Sequence, residues 1–352
     1  MSNTKGVFEK KNVIVAGGAG FIGSHICEIL AKDANERVIC VDNLITGTTM
    51  NIEPLLQLPD FKFIRHDITE PIDLSQFPEL APFEIEFSGI QEIYNCATPT
   101  SYKEAKKFSY ETALTNSIGM KNILDLAKQY SSKMVHLSSS AIYGDPMPED
   151  NHFNEDYWGF VSPVNERASY NESKRFSETL CKTYYDSFGV PVTIARVFAA
   201  YGPRMIMDEG RQVPDFISAA IDNKDIVIYG DKDSSTSFCY IKDMVEGLMK
   251  LVESKEMGPF NIGADEEYKL ADIAQKVIEI TGSKSKIKFE KPHEGMHEQG
   301  LPNIKAIKDE TGWFPLVRLD EGLKETIEYM GSVKSRYEQA GLWNESTLDR
   351  KE

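Results

Sequence analysis

Cysteine is scarce enough to exclude two chemistries at once. The 352 residues contain five cysteines: Cys27, Cys40, Cys96, Cys181 and Cys239, an odd number, widely spaced and with no C-x-x-C pair. That set argues against a disulfide frame and against a zinc site, and it fits reduced thiols in a cytoplasmic protein. Long apolar runs are missing too: none approaches the ~18 residues that span a bilayer. No membrane partner is therefore expected. Behind Met1-Ser2-Asn3-Thr4-Lys5 no apolar stretch of the secretory-leader kind follows. Positive charge is in deficit, with 39 Lys and Arg against 55 Asp and Glu and a formal net charge of −16. Without a basic cluster to offset this, nucleic acid is not an expected partner. An anionic small molecule would need locally placed Arg, Lys or N–H donors. Repeats and low-complexity tracts are absent. With 41% hydrophobic residues, the chain can build one large or two smaller globular domains.

Against these absences stands Val13-Ile14-Val15-Ala16-Gly17-Gly18-Ala19-Gly20-Phe21-Ile22-Gly23. A short apolar run reads as a buried strand, and Ile26, Ile29 and Leu30 continue as a helical pattern. Between them lie glycines 17, 20 and 23. The first permits a tight turn, the second lets backbone N–H groups approach a pyrophosphate, and the third lets helix and strand pack closely. A second apolar run, Arg37-Val38-Ile39-Cys40-Val41, ends in Asp42. A carboxylate there can accept both ribose hydroxyls of NAD and would repel the 2′-phosphate of NADP. NAD is thus the expected cofactor.

The first half alternates strand-like segments (12–16, 37–41, 61–65, 91–95, 133–138) with helix-like ones (22–32, about 103–129, 167–188). Such alternation predicts an α/β fold, a Rossmann-like doubly wound parallel sheet, with a smaller α/β substrate-binding lobe. Residues 71–89, with Pro71, Pro78, Pro82 and Gly89, read as a loop insertion. A further strand at 192–197 precedes looser, shorter elements at 213–222, 226–229, 242–253, 270–280 and 320–330. The expected division is an NAD-binding domain over 1–198, with returning segments near 237–262. The substrate lobe then takes 199–236 and 263–352, and the last residues are polar enough to fray.

Chemistry concentrates at Tyr170-Asn171-Glu172-Ser173-Lys174, where Tyr170 and Lys174 fall one turn apart on a helix. A tyrosine is a poor base at its ordinary pKa near ~10. A neighbouring ammonium favours the phenolate and moves it toward working pH. Met134-Val135-His136-Leu137 runs into Ser138-Ser139-Ser140, placing hydroxyls past the carboxyl end of a parallel strand, where such sheets bind ligands. His136 reads as a core or supporting histidine. Tyr157 and Trp158 either cover a substrate or pack a loop. His293, Glu294, His297 and Glu298 lie in a proline-flanked irregular stretch, and no metal is expected there.

With these motifs in this order, the chain resembles the extended short-chain dehydrogenase/reductase family, in its nucleotide-sugar epimerase and dehydratase group. The resemblance runs from about Lys11 to Tyr329. It is nearest in pattern to UDP-glucuronate decarboxylases through Ala97-Thr98-Pro99, Glu155 to Gly159, Tyr170 to Lys174, Tyr201-Gly202-Pro203-Arg204-Met205 and Gly312-Trp313 with Pro315. It implies Ser139, Tyr170 and Lys174 as catalytic residues. It implies NAD contacts from Gly17, Gly20, Phe21, Ile22, Gly23, Asp42, Asn43, Asp67, Ile68, Ala97, Asn116, Tyr170, Lys174 and Val197. Asp67 and Ile68 would flank the adenine. The substrate is implied to be a nucleotide sugar, met by Thr98, Ser140, Arg204 and Arg211. A homodimer through the helices near 103–129 and 167–188 is implied as well.

The chain departs from that family at the substrate side. Ser140-Ala141 stands where dehydratases carry Asp-Glu, and where decarboxylases carry a Glu at the second position. Gly300-Leu301-Pro302-Asn303-Ile304 lacks the Arg of the decarboxylase motif. Ala199 follows Phe198 where an Asn is usual, and Thr236 replaces an Arg. Arg204, Arg211 and Lys242 remain as anion partners. The departures favour oxidation of a sugar hydroxyl at C4 by a Ser-Tyr-Lys centre, followed by epimerisation or release of a keto sugar. Two alternatives stay open: a divergent decarboxylase that recruits Glu166, Glu172 or another carboxylate, and an NAD-binding regulatory protein without turnover.

Overall fold

A computed structural model describes residues 10–100, 106–146, 151–291 and 300–339. Seven parallel strands form the central sheet: β1 (Lys11–Ala16), β2 (Glu36–Asp42), β3 (Phe61–Arg65), β4 (Glu92–Asn95), β5 (Lys133–Ser139), β6 (Val192–Val197) and β7 (Phe260–Ile262). Their order across the sheet is β3-β2-β1-β4-β5-β6-β7. Val13 to Ala16 and Val38 to Val41 are buried without interruption, the pattern of parallel strands covered on both faces. That is why these runs alternate so little in polarity. Strand order reverses between β1 and β4, which opens a crevice beyond their carboxyl ends. Ala16 pairs with Asn95, and Ser139 pairs with Val197, in the register that brings these ends together.

The covering helices are α1 (Phe21–Lys32), α2 (Ser109–Leu114), α3 (Met120–Tyr130) and α4 (Ala168–Phe188). Periodicity alone reads one helix over 103–129, but the described part breaks into α2 and α3. A wide turn over Thr115–Gly119 with the looser π-type spacing joins them. Residues 101–105 lie outside the described residues. Residues 71–89 also differ from expectation. Short helical turns over Leu74–Gln76, Pro78–Phe83 and Ile85–Ser88 bury Leu74, Leu80, Phe83 and Ile85 against the core. Pro78 opens its turn at the first position, where a missing N–H costs nothing; Pro78 and Pro82 mark a packed turn here, not open loop.

Past β6, Ala200–Tyr201 pairs with Cys239–Tyr240, and α6 follows as Ile241–Leu251, after α5 at Gln212–Ile221. Two small strand pairs, 226–229 with 287–290 and 235–236 with 268–269, join α5 and α7 (Leu270–Thr281) in a smaller α/β layer. Helices α8 (Lys305–Thr311) and α9 (Leu319–Gln339) close the described chain. One apolar cluster runs from Val13 and Cys40 through Tyr201, Phe238 and Leu248 to Ile273 and Trp313. Shared burial of this kind couples the smaller layer to the edge of the sheet.

Candidate active site

Gly17 turns β1 toward α1 with a φ of +75°, a left-handed conformation that a side chain disfavours. A Cβ there would stand 2.7 Å from the Ala97 amide nitrogen, and one at Gly23 would stand 2.2 Å from the Gly17 carbonyl oxygen. The glycine spacing is therefore a steric requirement of this turn. Gly20 caps α1, whose unpaired N–H groups face the crevice and favour an anion. At the end of β2, the buried Asp42 carboxylate accepts from the amides of Ala19 (3.0 Å) and Leu44 (2.8 Å). Asn43 donates to Asp67 at 2.8 Å. Burial acts against the Asp67 charge, but bonds from Thr69 and Asn43 hold its carboxyl below the usual range. Ile68 is buried on Gly119, and its carbonyl accepts from Asn122.

At the carboxyl end of β5, Ser139 is buried, and its Oγ accepts from the Ala141 amide at 3.2 Å. That contact leaves the hydroxyl proton available. Lys174 on α4 donates to the Leu137 carbonyl at 2.6 Å. Burial pushes its pKa down to about 8. The wide turn carries Asn116, whose amide donates to Ser173 Oγ (3.1 Å) and accepts from Thr98 Oγ1 (2.8 Å). It thereby ties the exit of β4 to the helix that bears Tyr170. His136 is fully buried and held neutral by burial, with Nε2 2.7 Å from Ser177 Oγ; it is a supporting residue.

One cleft gathers Gly17, Gly20, Phe21, Ile22, Gly23, Thr98, Ser139, Ser140, Tyr170, Lys174, Val197, Arg204 and Arg211 along its walls. The turn, the helix terminus and the acid at the end of β2 are of the kind that would hold a dinucleotide, and Ser139, Ser140 and Tyr170 line the same cleft as the turn. Farther along, Phe198, Met205, Ile206, Val213, Pro214 and Phe238 give the wall an apolar share beside Glu209, Gln212, Thr236 and Ser237. Arg204 is paired with Glu28 and lies within 3.5 Å of Ser24 Oγ. Arg211 lies 3.5 Å from Glu209 and donates to the Thr100 carbonyl. Lys242 is elsewhere. It binds Glu325 at 2.8 Å on an exposed face and does not line the cleft. Tyr157 stacks on Tyr143 and Phe153, and Trp158 is 89% exposed. The His293, Glu294, His297 and Glu298 group lies outside the described residues.

Sequence reading passed over Thr46, Phe153, Arg167, Asn171 and Phe238, which also line the cleft. Arg167 was detectable from its position one turn before Tyr170; its guanidinium sits 5.5 Å from the centre of that ring.

Residues 13–263 match the NAD dependent epimerase/dehydratase family. UDP-glucuronic acid decarboxylase 6 of Arabidopsis thaliana is 37% identical over 323 residues, which cover 92% of this chain and 90% of that protein. UDP-glucuronic acid decarboxylase 1 of Danio rerio is 36% identical over 91% of this chain and 73% of its own length. Among solved structures, the UDP-glucuronic acid 4-epimerase of Bacillus cereus, in complex with UDP-glucuronic acid and NAD, is 28% identical. Its TM-score is 0.78, covering 92% of this chain and 99% of that one. The chain belongs to the NAD dependent epimerase/dehydratase family, is closely related to UDP-glucuronate decarboxylases, and is an NAD-using enzyme.

Proposed function

We propose that this enzyme oxidises the C4 hydroxyl of a nucleotide sugar at Ser139, Tyr170 and Lys174, and acts as a 4-epimerase. Gly17 to Gly23 and Asp42 would hold the dinucleotide, which when bound supplies the reversible hydride acceptance at C4. Tyr170 takes the hydroxyl proton, and the Lys174 ammonium favours the phenolate form that can accept it. Ser139 donates to the same sugar oxygen and steadies its developing charge. A sugar that turns over at the keto stage regains its proton from Tyr170 on the same oxygen, with C4 inverted.

The observation that carries this choice is that the described residues lining the cleft supply no second acid–base carboxylate beside Ser139. Among the described residues lining the cleft the carboxylate is Glu209, which faces Arg211. Ala141 offers a methyl group where elimination or decarboxylation would need a carboxylate. A decarboxylase reading is favoured by the 36–38% identity to such enzymes. Its substitute carboxylates are turned elsewhere: Glu166 pairs with Lys106, and Glu172 lies 3.8 Å from Arg175. The deciding experiment incubates the purified enzyme with UDP-glucose, UDP-galactose, UDP-glucuronate and UDP-N-acetylglucosamine and follows products by NMR. Interconversion of C4 epimers is expected. Carbon dioxide, or NADH accumulating in step with product, overturns the reading.

We also propose a homodimer joined through α2, α3 and α4. Tyr110, Ile118, Phe176 and Tyr185 leave large apolar side chains exposed on α2, the turn after it and α4, in the manner of an unpaired interface.

A further inference from the structure

Two turns beyond Tyr170, α4 carries Glu178, a carboxylate that lies away from the proposed proton transfer. It is paired with Arg196 of β6, and the two side chains are 13% and 10% exposed. The pairing is two-pronged: Arg196 Nε donates to Oε1 at 3.0 Å and Nη2 to Oε2 at 2.8 Å. A buried ion pair is weak evidence for stability, because desolvation offsets much of its attraction. Its remaining bonds show what it is attached to. Ser138 Oγ donates to Glu178 Oε1 at 2.5 Å. Arg196 Nη1 donates to the Tyr143 hydroxyl at 2.7 Å and to the Glu155 carbonyl at 2.8 Å. Tyr143 in turn donates to Asn261 Oδ1 on β7 at 2.7 Å.

Ser138 and Tyr143 flank the turn that presents Ser139. One end of the turn is thus fastened to α4 through Glu178, and the other to β6 through Arg196 and to β7 through Asn261. Lys174 adds a rung, because it holds Leu137, the residue before Ser138, by its carbonyl. Leu137 is matched to Lys174 and Ser138 to Glu178, one helical turn apart. The strand end is therefore stitched in register to the helix that carries Tyr170.

We infer that Glu178 and Arg196 form a positioning pair: through Ser138 and Tyr143 they set the height of Ser139 against Tyr170. The inference rests on the proposed role of Ser139. The pair's function is geometric, and an error near 1 Å at such a site costs about 10²-fold in rate.

A double-mutant cycle tests it on full-length enzyme, with the UDP-sugars named above as substrates. Glu178→Gln and Ser138→Ala are each combined with Ser139→Ala. Ser138→Ala is the milder change, since it removes one hydrogen bond and strands no charge beside Arg196. The expected result is a fall in kcat of about 10-fold or more for each variant, with KM within about threefold and NAD binding retained. In the Ser139→Ala background the same substitutions change kcat by less than about twofold, because the group they position is gone. Multiplicative losses in the double variants, or Ser138→Ala and Glu178→Gln both turning over like wild type, overturn the inference while leaving the Ser139 role intact. A Ser139→Ala enzyme as active as wild type, or a wild type inert on all four sugars, sinks the proposed function and this inference with it.

Discussion

Tyr170 and Lys174 work as a pair only if the phenol can lose a proton while the ammonium keeps one. Tyr170→Phe removes the acceptor and leaves the ring in place. Turnover is expected to drop by at least ~10²-fold, with NAD still bound, as measured by product NMR and by cofactor fluorescence. An enzyme of undiminished rate would exclude the phenol from the chemistry. Lys174 sets a limit on the alkaline side. Burial lowers its pKa to about 8, so its charge is full well below that pH and is lost as pH rises through it. The rate should therefore decline above about pH 8, and Lys174→Met should abolish that descending limb along with most of the activity. Tyr170 and Lys174 stood out as a candidate pair through their four-residue spacing, whereas Ser139 was implied by the family resemblance. The Glu178–Arg196 pair was not legible, since its partners are brought together by two elements whose contact no local pattern encodes.

The strands were readable from buried apolar runs, and β1 and β2 extend beyond the expected bounds by one residue at each altered end. Breakers were more ambiguous. Proline and glycine between 71 and 89 mark both open loops and short capped turns, and only the burial of Leu80 and Phe83 decides for turns. The amino-terminal edge of the sheet carries a consequence for stability. There Glu36 is buried, with Lys11 at 3.8 Å and Glu92 close by. Burial raises its pKa from 4.5 to about 7 despite the attraction of Lys11. Between those values the folded chain holds a proton that the unfolded chain has released, so stability falls as pH rises through this window. Thermal melts should give a lower Tm at pH 8 than at pH 5 from this group. Glu36→Gln should raise Tm by a few degrees at pH 8 and flatten the dependence. Equal slopes for variant and wild type would contradict the assignment.

For the whole molecule, the proposed homodimer rests on the apolar side chains left exposed on α2, the following turn and α4. Light scattering should give twice the chain mass, and Tyr110→Asp with Phe176→Asp should halve it without loss of the folded signal in circular dichroism. A monomeric wild type at micromolar concentration would rule the interface out. The net charge of −16 adds to solubility but leaves the anion partners to local residues. The two arginines expected there are themselves committed, Arg204 to Glu28 and Arg211 toward Glu209.

By itself the sequence determined the parallel doubly wound sheet and the glycine turn after β1, and it placed Tyr170 and Lys174 one helical turn apart. Each depends on a period or spacing of a few residues, over which backbone sterics and side-chain type leave little choice. Tertiary structure decided which charges remain available in the cleft, how the serine turn is held, and where the apolar share of the cleft wall lies. Those outcomes depend on pairs such as Glu28 with Arg204 and Ser138 with Glu178. Such residues are far apart along the chain and meet only when helices and strands have packed.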